Sequence, residues 1–460
     1  MLHPTFFEQD VRLLGHRWSP RVHELKRFLA RSGVRFRWFD LDYEGDAEAR
    51  RIVAEAGATP QAFPIVILPD GVVLSNPDVQ TLAERLGLPT EPTSALYDLV
   101  VIGGGPAGLA ASIYGGSEGL RTVVVEQDVP GGQASYSAMI ENYPGFPSGL
   151  DGSDLARRTV EQAERFGVEI VVTRRATSLR CDGLERRVML DDGTELAAHT
   201  VLLAIGVSFR WLDAPGCAAL AGAGVYYGAA TVEASACRNQ EVYVLGGGNS
   251  AGQAALFLSR FARQVHIMTL GDGLEESMSR YLIERIEQTP NVSVHPHTTV
   301  IDAGGTGHVE WIVLRDTKTN ETRRVPAEAL FVFIGAAPQS DWLAGTLDRD
   351  DEGFLLCGLD YLPGRPENWP LERAPYPLET RVPGVFIAGD VRRGSVKRLT
   401  VATGEGATAV HLVHRYLGET FGRPAPEDGE ATFPSMTATA SASRGDTGSG
   451  PANGNTAPLR

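Results

Sequence analysis

Short apolar runs alternate with apolar positions at helical spacing along residues 11–88, which predicts a small α/β unit. Residues 11–15 (VRLLG) form an apolar strand pattern. Ser19-Pro20 then has the form of a helix start, because serine caps helices and proline suits their first turn. The later segments are predicted as a strand (36–42), a helix (46–57), a hairpin (63–74) and a closing helix (78–88). The expected order is β-α-β-α-β-β-α.

A glycine-rich turn between two apolar strands predicts a dinucleotide site at residues 97–126. The first strand, residues 99–102, leads into the turn and a helix, and the second strand, residues 122–125, ends in an acid. The glycines permit a tight turn, close approach to a pyrophosphate and close packing of helix on strand, while the acid accepts hydrogen bonds from a ribose. The residues assigned to this site are Gly103, Gly105, Pro106, Ala107, Gly108, Glu126 and Gln127.

A second turn of the same kind lies in residues 242–251 (VYVLGGGNSA), again after a strand and before a helix. Two such turns in one chain predict FAD and a nicotinamide nucleotide, NADH or NADPH. A turn retained by the fold without binding a nucleotide is the alternative. The residues assigned to the second site are Gly246, Gly248, Asn249, Ser250 and Ala251.

Composition excludes several other classes of function. The chain of 460 residues carries a formal net charge of −15, which argues against a nucleic-acid partner. It has no signal-peptide pattern and no apolar run long enough to span a membrane, so a cytoplasmic location is expected. The four cysteines contain no CxxC pair, and the histidines form no metal-binding pattern. Residues 424–460 are rich in Gly, Ser, Thr, Ala and Pro, and we expect this tail to be disordered.

The order of elements in residues 1–88, with Pro64 entering the third strand, resembles the thioredoxin/glutaredoxin fold. That family carries CxxC at the start of its first helix, where this chain has Ser19-Pro20-Arg21-Val22. A serine cannot replace a thiolate in disulfide exchange. The resemblance therefore implies a redox-inactive domain that docks a partner or has a structural role. Residues 89–95 (PTEPTSA) are predicted as a linker from their Pro, Thr and Ser content.

Residues 96–420 resemble low-molecular-weight thioredoxin reductases through four motifs in family order. They are the pair PGGQ (130–133) and ENYPGF (141–146), then 201–212, 331–343 and 384–410. The resemblance implies a homodimer with an FAD domain at 96–214 and 326–423 and an NAD(P) domain at 215–325. It also implies flavin contacts by Gly132, Gln133, Asn142, Ala204, Gly206, Gly389, Asp390, Lys397, Arg398 and Leu399. Gln133 and Asn142 are expected to hydrogen-bond the ring, and a helix beginning near residue 404 is expected to point at it.

Two departures from the family pattern weaken a standard thioredoxin reductase activity. The dithiol segment CATCD aligns with residues 229–233 (AATVE), which lack both cysteines and keep an acid, Glu233, as a candidate for proton transfer. The arginines that hold the NADPH phosphate align with residues 269–276 (TLGDGLEE), so NADPH binding should be weakened. Arg263 and Arg280 are the only substitutes expected nearby. The resemblance also implies that the nicotinamide domain must rotate against the flavin domain for hydride transfer.

The sequence thus predicts an α/β FAD-dependent oxidoreductase that passes electrons from NAD(P)H to an acceptor without a dithiol. The acceptor could be a redox protein, a small disulfide, a quinone-like molecule or oxygen. One alternative is an oxidase that takes electrons from a small molecule. Another is a non-catalytic flavin sensor or scaffold whose N-terminal domain docks a partner.

Overall fold

The computed structural model describes residues 10–423 apart from 44–46, 56–61, 138, 229–233 and 235–236. The predicted tail, 424–460, lies outside the described residues. In the described part no helix is long and apolar enough to cross a membrane.

The N-terminal unit is a four-stranded sheet with the strand order β2-β1-β3-β4. Its elements are β1 (Val11–Gly15), α1 (Pro20–Arg31), β2 (Phe36–Asp40), α2 (Ala47–Glu55), β3 (Ile65–Ile67), β4 (Val73–Ser75) and α3 (Val79–Arg85). β1 and β2 are parallel, whereas β3 is antiparallel to both β1 and β4. Helix α1 begins where the sequence indicates, because the Ser19 hydroxyl accepts the Val22 N–H at 3.4 Å. Phe63–Pro64 is a cis peptide bond.

The first half of the next domain forms most of a larger sheet in the order β7-β6-β5-β10-β9-β8. Its elements are β5 (Leu96–Ile102), α4 (Pro106–Ser117), β6 (Thr122–Val125), α5 (Gly152–Arg165), β7 (Glu169–Val171), β8 (Ala176–Asp182), β9 (Glu185–Leu190) and β10 (Glu195–Leu203). Strands β7, β6, β5 and β10 are parallel, so their carboxyl ends share one edge of the sheet. The glycine turn after β5 opens at that edge, as in Rossmann-type domains.

A second domain contains a five-stranded parallel sheet and a three-stranded antiparallel one. The chain enters and leaves it through two short paired strands, β11 (Ser208–Phe209) and β20 (Ala336–Ala337). Between them lie β12 (Val225–Tyr226), β13 (Glu241–Leu245), α6 (Asn249–Leu258), β14 (Gln264–Met268), α7 (Arg280–Glu287), β15 (Val292–His295), β16 (Thr298–Gly304), β17 (Trp311–Asp316), β18 (Thr322–Pro326) and β19 (Ala329–Val332).

The predicted return to the flavin domain at residue 326 is too early. Strand β19 pairs with both β12 and β13 in the parallel sheet, so the nicotinamide-type domain extends at least to Val332. The apolar run at 329–334 shows that a strand is present, but the sequence does not show which sheet it joins. That choice depends on hydrogen bonds made far along the chain.

The chain then completes the larger sheet with β21 (Val385–Ile387), which pairs with β10, and closes with α8 (Leu399–Phe421). Helix α8 packs along α4, where Gly406 allows close approach because a Cβ there would collide with the carbonyl oxygen of Ala107. The helix begins at Leu399, which is earlier than the start near residue 404 that the sequence suggested. Its first turn is therefore formed by the residues that directly follow Arg398.

Candidate cofactor site and active site

The first glycine turn is built so that only glycine fits at its sharpest points. Gly103 has φ +102°, and a Cβ there would collide with the carbonyl oxygen of Ala204 at the end of β10. A Cβ on Gly108 would collide with the carbonyl oxygen of Gly103 itself. The backbone of the turn is therefore open on the side where α4 begins at Pro106, and its N–H groups and helix N-terminus suit a pyrophosphate.

Glu126 lies at the end of β6 and is buried beside this turn. One carboxylate oxygen accepts the Gly104 N–H at 2.7 Å, and the other accepts the Asp128 N–H at 3.0 Å. Burial raises the pKa of Glu126, and the two N–H donors oppose that shift. Each oxygen keeps a second lone pair, as a residue that binds two ribose hydroxyls requires. Turn and acid together fit the adenosine and pyrophosphate of a dinucleotide.

A cavity of about 1540 Å³ contains almost all of the residues predicted for the two nucleotide sites. It is larger than the range of roughly 300–1,000 Å³ typical of sites for one drug-sized ligand. The predicted residues that line it are Gly103, Gly105, Pro106, Ala107, Glu126, Gln127, Gly132, Gln133, Asn142, Ala204, Gly206, Gly248, Asn249, Ser250, Ala251, Gly389, Asp390, Lys397, Arg398 and Leu399. Gly108 and Gly246 are not among the lining residues and shape the two turns.

The candidate flavin-ring contacts differ in how they are held. The side-chain amide of Gln133 donates to the carbonyl oxygen of Val207, so it tethers the loop after β10, a contact that the sequence analysis did not foresee. Lys397 has φ +54°, and its ammonium group lies 4.8 Å from the ring centroid of Phe354. Burial raises the pKa of Asp390, and the positive charge of Lys397 opposes that shift. Asp390 and Lys397 therefore place opposite charges on one wall of the cavity.

The second glycine turn repeats the geometry of the first. Gly246 has φ +142°, and a Cβ there would collide with the carbonyl oxygen of Phe333. Asn249 begins α6, and its side-chain oxygen accepts the Ser279 N–H at 2.6 Å. The Ser277 hydroxyl donates to the carbonyl oxygen of Gly247 at 2.9 Å. Asn249 therefore anchors the segment before α7 as well as lining the cavity.

The two substitutes expected for the lost phosphate-binding arginines are each paired with a carboxylate. Arg263 donates to Glu241 at 3.0 Å, and Arg280 donates to Glu284 at 2.8 Å. The segment 269–276 has a different basic neighbour, Lys318, whose ammonium group lies 3.0 Å from Asp272.

His297 is a further basic neighbour, 2.9 Å from the same Asp272 carboxylate. The expectation that Arg263 and Arg280 would be the only nearby substitutes was therefore wrong. Lys318 and His297 flank the antiparallel strands β16 and β17, and their proximity to Asp272 cannot be read from local sequence.

A smaller space of about 70 Å³ lies between residues predicted for the two nucleotide sites. Its described lining comes from both domains and includes Gln133, Tyr136, Phe209, Ser250, Phe257 and Phe333. None of the described residues that line it is a cysteine. Glu233, the candidate proton donor, lies outside the described residues, as do its neighbours 229–232.

Sequence reasoning missed the part that helix α1 plays in this site. Pro20, His23, Glu24, Arg27 and Arg31 of α1 all line the large cavity. The spacing of Arg27 and Arg31, one helical turn apart, was the available signal, because it places both on one face.

Arg31 is the most deeply anchored of these residues. Its guanidinium group pairs with Asp128 and donates to the Val129 carbonyl oxygen at 2.8 Å, the Ser135 hydroxyl at 3.0 Å and the Tyr136 hydroxyl at 2.9 Å. Arg27 donates to the same Tyr136 hydroxyl. Helix α1 therefore holds the loop that follows Glu126.

The four cysteines differ in exposure, and the surroundings of two of them favour the neutral thiol. Cys217, Cys237 and Cys357 are buried, and Cys181 is partly exposed. Burial raises the pKa of Cys217 to about 11 and that of Cys357 to about 12, so their thiolates are strongly disfavoured at neutral pH. Among the described residues no group of three or more His, Cys, Asp or Glu side chains could hold a metal ion.

Comparisons with known proteins agree on one likeness. The family profile of pyridine nucleotide-disulphide oxidoreductases matches residues 97–406, so the N-terminal unit lies outside the match. The chain is 33% identical over 332 residues to a thioredoxin reductase of Peptoclostridium acidaminophilum, covering 71% of this chain and 98% of that protein.

A bifunctional thioredoxin reductase/thioredoxin of Mycobacterium leprae is 34% identical over 337 residues, 73% of this chain and 69% of that protein. Among solved structures, the thioredoxin reductase of Lactococcus lactis in its FR conformation superposes with a TM-score of 0.63 at 28% identity. That superposition covers 70% of this chain and 99% of the other.

Proposed function

The chain belongs to the pyridine nucleotide-disulphide oxidoreductase family and is a flavin-dependent NAD(P)H oxidoreductase, and we propose that it passes electrons to its acceptor without a dithiol relay. Its α/β fold with Rossmann-type domains is that of thioredoxin reductases. The observation that carries the proposal is the sequence of residues 229–233 (AATVE), which align with the family's dithiol segment and contain no cysteine. Among the described residues, the small space lined by both domains contains the thioether of Met139 but no thiol.

The distribution of cysteines supports the same proposal. The 460 residues contain four cysteines, at 181, 217, 237 and 357, and no two are close enough in sequence to form a CxxC pair. The segment that aligns with the family's dithiol reads AATVE. Reduction of thioredoxin would need a pair of thiols that exchange with a disulfide. This chain offers none at that position.

Each cavity residue would then have a defined task. Bound FAD supplies two-electron transfer between a nicotinamide nucleotide and an acceptor. The glycine turn at 103–108 and Glu126 would hold the pyrophosphate and the adenosine ribose. Asp390 would bind hydroxyl groups, and Lys397 would place positive charge beside the ring, which favours a negatively charged reduced form. Glu233 is proposed as the acid that supplies a proton to a reduced acceptor.

We further propose that NADH is preferred to NADPH. A phosphate dianion near residues 269–276 would meet Asp272, Glu275 and Glu276, and the ammonium group of Lys318 is already paired with Asp272. Asp272→Asn should release Lys318 and raise the ratio of kcat/KM for NADPH to that for NADH by about tenfold, equal to 1.4 kcal/mol. Asp182→Asn, on the flavin domain, is the matched control. An unchanged ratio in both variants would contradict this account of the preference.

A small-molecule oxidase is the second candidate function, because the acidic segment 269–276 disfavours the 2′-phosphate of NADPH. In that case a small organic substrate would supply the electrons and oxygen would accept them. The intact second glycine turn, with Gly246 held against Phe333, favours the nucleotide-driven reading.

The N-terminal unit is proposed to be a thioredoxin-like domain that has lost its redox function, since Ser19-Pro20-Arg21-Val22 stands at the start of α1. A homodimer is proposed from the resemblance to thioredoxin reductases.

The proposed function is tested by steady-state turnover of FAD-loaded protein with NADH and NADPH. The acceptors are oxygen, a soluble quinone, a small disulfide and thioredoxin. We expect consumption of nucleotide with at least one acceptor other than thioredoxin. Turnover with thioredoxin at the rate of a dithiol enzyme would overturn the absence of a relay.

A further inference from the structure

Helix α1 of the N-terminal unit contacts both nucleotide domains at once. On the nicotinamide side, the Trp18 ring, just before α1, stacks on His308 with ring centroids 4.8 Å apart and an interplanar angle of 11°. The His23 ring lies 5.2 Å from that of Tyr226. The backbone of Gly222 packs so closely that a Cβ there would come within 3.3 Å of the Pro20 Cα.

On the flavin side, α1 is held by its two arginines. Arg31 makes the four interactions described above with residues 128–136, and Arg27 reaches the Tyr136 hydroxyl. The planar guanidinium groups also lie over the Tyr136 ring, at 4.6 Å for Arg27 and 4.5 Å for Arg31. One helix therefore links the loop after Glu126 to the nicotinamide domain.

The N-terminal unit shares a hydrophobic core with the flavin domain. Buried side chains of α1 and α3, such as Leu29 and Leu82, belong to the same apolar cluster as Leu99 of β5 and Val124 of β6. Residues 89–95, predicted as a linker, are also fixed. The Val172 N–H donates to the Pro89 carbonyl oxygen at 2.9 Å, for example. A contact from α1 to the nicotinamide domain therefore restrains that domain against the flavin domain.

A second contact joins the nucleotide domains directly. Arg285 of α7 donates to both carboxylate oxygens of Glu141, each at 2.7 Å, and Glu141 lies in the ENYPGF segment of the flavin domain. Both bonds come from one guanidinium nitrogen, so the pair joins the two domains at a single point. Rotation of the nicotinamide domain would break this pair together with the Trp18–His308 and His23–Tyr226 contacts.

We propose that the N-terminal unit holds the two nucleotide domains in this one orientation throughout turnover, so that the acceptor is a small planar oxidant that enters the shared cavity. This inference rests on the proposed function and takes the orientation in the structure, in which both nucleotide domains line one small space, as the one for hydride transfer. Without a dithiol the flavin has no second group of the protein to face. Helix α1 forms part of the cavity wall. The aromatic side chains of Tyr136, Phe209, Trp211, Tyr226 and Tyr227 line the cavity and suit a planar molecule such as a quinone.

The test is a covalent bridge between α1 and the nicotinamide domain. Trp18→Cys and His308→Cys are combined in a Cys181→Ser background and treated with a short bis-maleimide. The two matched controls carry one of these cysteines each and undergo the same modification without a bridge. Mass spectrometry gives the yield of bridged protein. Turnover is measured with NADH and a soluble quinone before and after treatment.

We expect efficient bridging and quinone reduction within about twofold of the singly modified controls, because no step then requires the domains to part. A bridge that lowers turnover about tenfold or more, with the controls unaffected, would show that rotation is needed and would overturn the proposal. Failure to bridge, while both single cysteines react, would also overturn it.

The experiment separates this inference from the proposed function. If the untreated protein consumes no nucleotide with any acceptor, the proposed function fails. Bridging yield then judges the orientation alone: high yield supports a fixed contact, and low yield contradicts it.

Discussion

The buried guanidinium group of Arg31, on the first helix of the N-terminal unit, pairs with Asp128, two residues after Glu126 at the edge of the nucleotide cavity. The three further bonds of Arg31 are to groups in the same loop. A residue that precedes the family motifs by many positions therefore helps to shape the site that those motifs form.

Replacement of Arg31 by Met should lower the free energy of unfolding by about 1.5–3 kcal/mol, because hydrogen bonds to a charged group are lost while the aliphatic bulk is kept. Urea denaturation gives this value. Arg35→Met is the matched control: Arg35 is exposed and 3.6 Å from Asp10, so the change should stay within about 1 kcal/mol. Equal effects in the two variants would contradict the role given to Arg31.

Because of His23, the free energy of unfolding should decrease as the pH is lowered. Burial, with Arg27 and Lys26 adding to it, lowers the pKa of His23 from 6.5 to about 3. The unfolded chain therefore binds a proton below pH 6.5 that the folded chain binds only near pH 3, and stability falls as the pH drops through that window.

Urea denaturation of the wild type and of His23→Gln at pH 7.5 and pH 5 gives the free energies of unfolding that measure this effect. Between pH 7.5 and pH 5, the free energy of unfolding of the wild type should fall by up to about 2 kcal/mol more than that of the variant. His411→Gln, at an exposed histidine of α8, should behave like the wild type. A wild-type loss no larger than that of His23→Gln would refute the assignment.

Glu126→Gln should weaken FAD binding about tenfold or more. An amide has one acceptor oxygen, so either the Gly104 or the Asp128 N–H would face an NH₂ group, at a cost of about 1–3 kcal/mol. Flavin bound per protein after gel filtration, and its dissociation constant by fluorescence, report the change. Glu161→Gln on the exposed face of α5 should keep its flavin. Full flavin occupancy in Glu126→Gln would remove this residue from the site.

Thiol reagents should not inhibit turnover. At pH 8 the thiolate fraction of Cys217 should be only about one part in a thousand, and Cys357 should be less ionised still. Iodoacetamide should therefore label Cys181 first, and Cys181→Ser should show almost no labelling. Prior reduction with NADH should release no additional thiols. Two extra labelled cysteines after reduction, or loss of activity on labelling, would indicate a relay.

The sequence was sufficient for the parts of the site that depend on local backbone geometry. The turns at Gly103 and Gly246 could be predicted because a positive φ and close packing exclude a side chain there. The α/β fold with Rossmann-type domains was confirmed, since apolar strands and glycine turns specify it locally. The detailed residue assignments stay predictions.

Long-range relationships could not be read in the same way. The approach of Lys318 to Asp272 depends on where the antiparallel sheet folds back, and the sheet to which β19 belongs depends on its register with β13. The amide of Gln133, expected at the flavin ring, donates to Val207 because the loop after β10 lies beside it. The position of α1 in the cavity wall depends on packing between units that are distant in sequence.

An anaerobic titration of the FAD-loaded protein with NADH, followed by flavin absorbance, tests the central claim most directly. Without a dithiol, the flavin is the only group that takes up electrons, so one equivalent of NADH per flavin should bleach the spectrum completely. A requirement for two equivalents would reveal a disulfide that accepts electrons as well. Failure of both NADH and NADPH to bleach the flavin would contradict a nucleotide-driven enzyme.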